Sequence, residues 1–267
     1  MPRPLLIAAL LAPLPACSII ADDARPTVDF EAIAETQNNF RGIVNTKQPV
    51  MRTNLHASLP VEKWGGTLTV GSDTTWDLSN QGTGQWFPGG HAGEPSQVET
   101  FVAYSEQYHG LDVTTGLISY ALQNPDDFPF AAERGETKEF FVEVQNPNAG
   151  KLIPWFRFHY DFDEVHDAYA AFGLKKFFTT EKYTVELGSN LGWSSEGQSD
   201  WNYGFAKEGF AHFDFGAEMT YFVDDHTSVL FGAHSSTIVD GAIQDWLHSI
   251  GIDTSNFWLS VGVVLSY

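Results

Sequence analysis

The chain has a single cysteine, few basic residues and no long unbroken apolar run, and each shortage removes a class of protein. Cys17 alone cannot close an intrachain disulfide, so this is not a disulfide-stapled scaffold. Lys and Arg total 14 against 34 Asp and Glu, a formal charge of −20, which excludes the clustered positive surface that a nucleic-acid backbone requires. No stretch reaches the length of apolar residues that a transmembrane helix needs, about 18 to 20. Charged residues make up 18% of the chain, below the usual quarter or so.

Aromatic residues are plentiful instead. They form 14% of the 267 residues, with 21 Phe, 9 Tyr and 8 Trp, enough for a large core or for a surface that faces something apolar. The first residues, "MPRPLLIAALLAPLPACSIIADDA", place Arg3 ahead of an apolar run from Leu5 to Leu14 and then small residues, which reads as a secretory signal peptide. Residues 1–21 are assigned to it, with cleavage after Ala21. A second reading takes "LPAC" as a lipobox ending at Cys17, whose thiol would then be acylated. Residues 22–267 form one domain.

Within that domain the recurring signal is alternation with a period of two, the mark of strands with one apolar and one polar face. In "EFFVEVQ", Phe140, Val142 and Val144 oppose Glu139, Glu143 and Gln145; in "WFRFHYDF", Phe156, Phe158, Tyr160 and Phe162 oppose Arg157, His159 and Asp161. About twelve such segments are expected, at 27–37, 49–60, 66–78, 97–106, 110–122, 136–146, 151–162, 168–178, 182–193, 209–223, 226–237 and 257–267. Short connections such as "EQYHG", "NPNAGK" and "DDH" alternate with longer ones at 38–48, 79–96, 123–135, 194–208 and 238–256. The connection at 163–167 is the one short member of the longer set. This rhythm predicts an all-β fold: a transmembrane, antiparallel, up-and-down β-barrel of about twelve strands, with short periplasmic turns and longer extracellular loops.

Aromatic positions fit two interfacial girdles. Trp76, Tyr120, Trp193, Phe257 and Trp258 would mark the outer strand ends, and Tyr104, Tyr108, Phe177, Phe178, Tyr221 and Tyr267 the inner ends. The final segment, "FWLSVGVVLSY", then reads as a closing strand. Its row Phe257, Leu259, Val261, Val263, Leu265 and Tyr267 would face lipid and resembles the carboxy-terminal assembly signal of bacterial outer-membrane proteins, which implies insertion by the barrel assembly machinery. The alternative is a core strand of a secreted sandwich.

The stretch "AETQNNFRGIVNTKQPVMRTNLHASLP", residues 34–60, carries Phe40, Arg41, Gly42 and Ile43 between the first two long strand signals. It resembles the start of the TorF family of porins, which also has an "FRG" segment there, followed by a polar stretch and a strand. The resemblance implies an outer-membrane barrel with a porin role.

If the apolar faces meet lipid, the opposite faces line the interior. The pore-lining candidates are Asp73, Asp77, Glu99, Asp112, Glu139, Glu143, Arg157, His159, Asp161, Glu186, Asp214 and Glu218. Asp29, Glu31, Glu35, Arg52 and Lys182 join them on the same reading. Such a wall favours cations; alternatively the carboxylates pair across a packed interior with no open path, since twelve strands lie between a filled barrel and a wide channel. The expected activity is passive diffusion of small polar or cationic solutes, which needs no cofactor and no catalytic residue. The partners are the bilayer, the assembly machinery and the solutes. Its rival is a plugged barrel that acts through its loops, where Trp86, Phe87, Trp246 and Leu247 are prominent; Ile243, Trp246, Leu247 and Ile250 have helical spacing. A third reading is a lipid hydrolase using Ser236 and His234, which lie two apart on one strand face and resemble the His-x-Ser of lipid A deacylases. The acidic "DFDEVHD" segment (Asp161, Asp163, Glu164, His166, Asp167) reads as a solvated turn rather than a metal loop, because it lacks glycine-punctuated ligand spacing.

Overall fold

The computed structural model describes residues 25–61, 63–80, 92–122 and 136–267. The leader with Cys17, and the loop residues Trp86 and Phe87, lie outside the described residues. The strands are β1 (Thr27–Glu35), β2 (Asn38–Phe40), β3 (Ile43–Thr46), β4 (Val50–Val61), β5 (Gly66–Asp77), β6 (Pro95–Tyr108), β7 (Leu111–Leu122), β8 (Glu136–Gln145), β9 (Ile153–Asp161), β10 (Ala168–Thr179), β11 (Tyr183–Ser194), β12 (Gly209–Phe222), β13 (Thr227–Ile238) and β14 (Ser255–Ser266). Two short helices, α1 (Glu196–Tyr203) and α2 (Gly241–Ser249), sit in the connections before β12 and β14. All strands except β2 and β3 close into one antiparallel barrel, in the order β1-β14-β13-β12-β11-β10-β9-β8-β7-β6-β5-β4.

Alternation along each strand sets the two faces, and their polarity is inverted relative to a soluble protein. Leu55, Val70, Leu117, Phe172, Phe215 and Phe231 are exposed on the outside, whereas Asn54, Asp73, Glu139, Asn190 and Asp214 are buried inside. In water such an apolar exterior would drive association; in a bilayer it is the stable arrangement, because closure satisfies every ladder hydrogen bond internally. The seam joins the ends of the chain, with Phe30 opposite Leu265 and Ala34 opposite Val261. Val28 N donates to Tyr267 O at 2.7 Å and Tyr267 N to Val28 O at 2.9 Å. Phe257, Leu259, Val261, Val263 and Tyr267 point outward and are exposed, while Leu265 is half-buried.

At the end that carries the termini, connections are tight. His109 and Gly110, with φ of 51° and 80°, form a two-residue reversal of the kind that follows the twist of a hairpin. Asp224 accepts from the backbone N–H of His226 and Thr227, both at 2.8 Å; those donors, His226 first, hold its carboxyl below the usual range.

The opposite end carries the larger connections, and those with α1 and α2 pack against the β2–β3 hairpin. Ile43 from β3, Tyr203 from α1, Ile243 and Leu247 from α2, and Ala211, Ile238 and Ile252 form one buried apolar cluster. Asp240 caps α2 by accepting from the N–H of Ala242 at 2.9 Å and Ile243 at 3.1 Å, satisfying donors that a helix start leaves open.

Three expectations need correction. The segment 38–48, read as loop, contains the β2–β3 hairpin. Tyr120 and Trp258, assigned to the outer girdle, face inward and are buried, and Phe177, assigned to the inner girdle, faces inward opposite Glu186. Lys182 lies exposed in the β10–β11 turn rather than on the wall.

Candidate functional site

The interior is organised by the β2–β3 hairpin, which leaves the wall after β1 and crosses the barrel. Its two turn residues, Arg41 and Gly42, both have positive φ, 47° and 88°. That geometry suits glycine and is uncommon for arginine. A side chain on Gly42 would come within 2.4 Å of His212 Cβ on β12, so the turn is seated against that strand by the absence of a Cβ.

Arg41 is the tip. Its Nη2 donates to Glu139 Oε2 on β8 at 2.6 Å, and its Nη1 to Gln198 Oε1 on α1 at 2.9 Å. The guanidinium lies 4.4 Å from the ring centre of Tyr169 and 4.9 Å from that of Phe40. Tyr203 Oη donates to the Arg41 carbonyl at 2.7 Å. In the closed ring β8 stands almost opposite β1, so the Arg41–Glu139 pair fastens the hairpin across the full bore. Phe40 anchors the same tip by packing on an inward apolar patch of Phe101, Ala103, Ile118, Tyr120 and Phe141.

Beside the hairpin lies a cavity with about 130 Å³ of space for water, part of it open to solvent. Its wall includes Arg41, Arg52, Trp155, Tyr169, Asn190, His212, His234 and Trp258. Of the sequence candidates, Asp73, Glu99, Arg157, His159 and Asp214 line this space. Asp77, Asp112, Glu139, Glu143, Asp161, Glu186 and Glu218 lie on the inner face or at its ends but outside this cavity's lining.

Most of these carboxylates are engaged. Asp73 Oδ1 meets His56 Nε2 at 2.6 Å, and Glu99 Oε1 accepts from Gln97 at 2.6 Å. Glu139 Oε2 takes His159 Nδ1 at 2.7 Å as well as Arg41. Glu143 pairs with Arg157, whose Nε donates at 2.7 Å. Asp214 accepts from Ser236 at 2.5 Å and lies 3.1 Å from His212 Nδ1. Asp112, near the short-turn end, accepts from Gln107 and Gln145 at 3.3 and 3.2 Å. Both oxygens of Glu186 are buried and unpartnered.

The acidic turn after β9 is a backbone clasp. Asp161 Oδ1 accepts from the N–H of Asp163, Glu164 and Val165 at 3.0 to 3.1 Å. Asp167 accepts from Gly197 N at 2.8 Å and so holds the start of α1. Among the described residues no group of three or more His, Cys, Asp or Glu side chains is arranged to hold a metal. Ser236 and His234 are not joined: His234 Nε2 meets Ser260 Oγ at 3.0 Å and its ring stacks on Trp258, while Ser236 is spent on Asp214.

Sequence reasoning missed Arg41 as the central side chain of the interior. The signal was an Arg-Gly pair between two short polar-apolar runs, "NNF" and "IVNT". Trp155 and Tyr169 were readable from parity, as inward members of β9 and β10.

No protein-family model matches the chain, and no curated protein does; the TorF likeness therefore rests on the four residues of its "FRG" segment and the architecture. Among solved structures, an outer membrane channel from Pseudomonas putida F1 superposes with a TM-score of 0.55 at 10% identity, covering 92% of this chain and 97% of that one. The NanC porin superposes with a TM-score of 0.51 at 13% identity, covering 89% and 98%. At these identities the likeness is one of fold: the chain is a closed antiparallel β-barrel, the architecture it shares with these two proteins.

Proposed function

We propose that this protein is an outer-membrane channel for passive diffusion of small polar or cationic solutes, narrowed by the β2–β3 hairpin. The observation that carries the reading is a polar interior with a cavity of about 130 Å³, spanned by a hairpin whose tip is held by the Arg41–Glu139 ion pair. A barrel stabilised by interior packing alone would favour apolar contacts there. Inward carboxylates on β1, β5, β6, β8, β11 and β12 outnumber Arg41, Arg52, Arg157 and Lys175, and a low-dielectric wall focuses their field along the bore, which attracts cations. The apolar exterior supports an outer-membrane location, and the outward row from Phe257 to Tyr267 supports delivery by the barrel assembly machinery.

A second reading has an observation of its own. The apolar cluster of Ile43, Tyr203, Ile243 and Leu247 closes over the long-loop end, which favours a capped barrel acting through its external surface. Single-channel recording of the refolded protein in a planar bilayer under a potassium chloride gradient decides between them. Discrete steps with a cation-selective reversal potential support the channel. Silence from a barrel whose folding is verified by heat-modifiable gel migration transfers the function to the cap.

A further inference from the structure

Three pairs of carboxylates stand directly opposite one another on neighbouring strands of the inner wall: Asp73 with Glu99, Glu139 with Asp161, and Glu186 with Glu218. Like charges in that register repel, because directly opposed side chains start only about 5 Å apart at Cβ. Each member of the first two pairs has at least one hydrogen-bond partner within the protein. Asp73 has His56, and Glu99 has the Gln97 amide. Glu139 has Arg41 and His159, and Asp161 has three backbone N–H groups.

The third pair has no such partner. Glu186 is 3% exposed, and neither of its oxygens has a hydrogen-bond partner. Glu218, half-buried beside it, makes no hydrogen bond or ion pair with any described residue. Basic side chains reach this pair only through space: Lys175 attracts Glu186 and Arg52 attracts Glu218, but neither makes a hydrogen bond or ion pair with them, while Arg157 is bound to Glu143 and Arg52 Nη2 is 3.4 Å from Glu35. Two buried carboxylates that face each other without a bonded counter-charge are costly.

We propose that Glu186 and Glu218 together bind a divalent cation, Mg²⁺ or Ca²⁺, in the half of the lumen nearest the short turns. Two carboxylates from adjacent strands supply the protein ligands and lumen water completes the shell, the usual arrangement for hard cations held by one or two carboxylates. The site lies below the hairpin, so a cation there sets the charge that a solute meets before the constriction. That consequence rests on the channel reading; the site itself does not.

The test is equilibrium titration of CaCl₂ and MgCl₂ into the full-length barrel, stripped with EDTA and kept in non-ionic detergent, followed by calorimetry. Because no conduction is needed, a barrel that passes no current can still show the site. Saturable binding of one cation per barrel is expected, weakened at least tenfold in Glu186→Gln and in Glu218→Gln and unchanged in the exposed control Glu164→Gln. Folding of each variant is checked by heat-modifiable migration, and both glutamines remove a buried charge rather than a packed group. Absence of binding in the folded wild type, or equal binding in Glu186→Gln, overturns the proposal and leaves the pair to share a proton.

Discussion

Replacing Arg41 with alanine is the sharpest perturbation of the hairpin. The change deletes the ion pair to Glu139 at 2.6 Å, the hydrogen bond to Gln198 at 2.9 Å and the cation–π contact with Tyr169 at 4.4 Å. It leaves Glu139, 2% exposed, without its guanidinium. Removing one partner of a buried pair costs about 3–5 kcal/mol. His159 Nδ1 still holds the same carboxylate oxygen at 2.7 Å, and water enters as the hairpin lifts, so the lower end applies. With each 1.4 kcal/mol worth about tenfold in an equilibrium, about 3 kcal/mol raises the population of displaced hairpin about a hundredfold. Hydrogen exchange of the amides of 38–46 should accelerate accordingly, and single-channel recordings should show larger or longer openings than wild type. Glu139→Gln should act in the same direction, and the double variant should fall short of the sum by about 1 kcal/mol or more, because both remove one interaction. Wild-type exchange rates together with wild-type currents in Arg41→Ala would refute the latch.

Gly42→Ala should displace the hairpin without touching a charge, since its Cβ would collide with His212 Cβ at 2.4 Å and the φ of 88° disfavours any side chain; the same acceleration of exchange at 38–46 is the readout. Neutralising one wall charge in Glu99→Gln should lower the cation-to-anion permeability ratio, measured by reversal potential, by about twofold or less, as expected for one of several charges acting on the same path. Asp240→Ala should destabilise α2 by about 1 kcal/mol through loss of its cap, seen as faster exchange at 241–249. Partial burial pushes the Asp240 carboxyl up, but the Lys207 hydrogen bond and the N–H of Ile243 and Ala242 pull it down further, so the net shift is downward. The stabilisation is therefore complete above about pH 4, the ordinary aspartate value, and is lost as the pH falls through the lower folded value; protection factors at 241–249, corrected for the intrinsic exchange rate, should fall in acid for wild type and less so for the alanine variant.

The barrel was legible because a membrane makes both faces of a strand obey one strict rule. Lipid on one side and water on the other leave Leu55, Val70, Leu117 and Phe231 no choice of side, so parity alone assigned the wall across all twelve barrel strands. The girdle assignment fails where it sets parity aside, since Tyr120 shares a face with Asp112 and Trp258 lies between the outward Phe257 and Leu259. Both are amphipathic, at home at a bilayer interface and equally in a polar lumen, and composition could not show that Phe40 and His234 were waiting inside to pack against them.

The hairpin was illegible for a different reason, and that reason bears on how the interior works. Strands of three and four residues carry too few alternations to register, and β2 and β3 are held by contacts far away in sequence: Phe40 by the β6–β8 wall, Arg41 by Glu139 and Gln198, Ile43 by the helices of the long loops. Nothing local demands that the segment fold inward. Its position is a balance between tertiary contacts, of which one is a charge pair inside a wall rich in competing carboxylates. On the channel reading proposed above, acids on that wall such as Glu186 would draw cations into the bore. Salt screens the closed Arg41–Glu139 pair little because both side chains are buried, but ions stabilise the two separated charges once the hairpin lifts, so ionic strength and hairpin position are coupled. Raising the salt from low to molar shortens the Debye length from about 30 Å to about 3 Å and should raise hydrogen exchange at 38–46 in the wild type. Arg41→Ala, which has no pair left to separate, should show no such increase, and that difference separates weakening of the latch from a general loosening of the barrel.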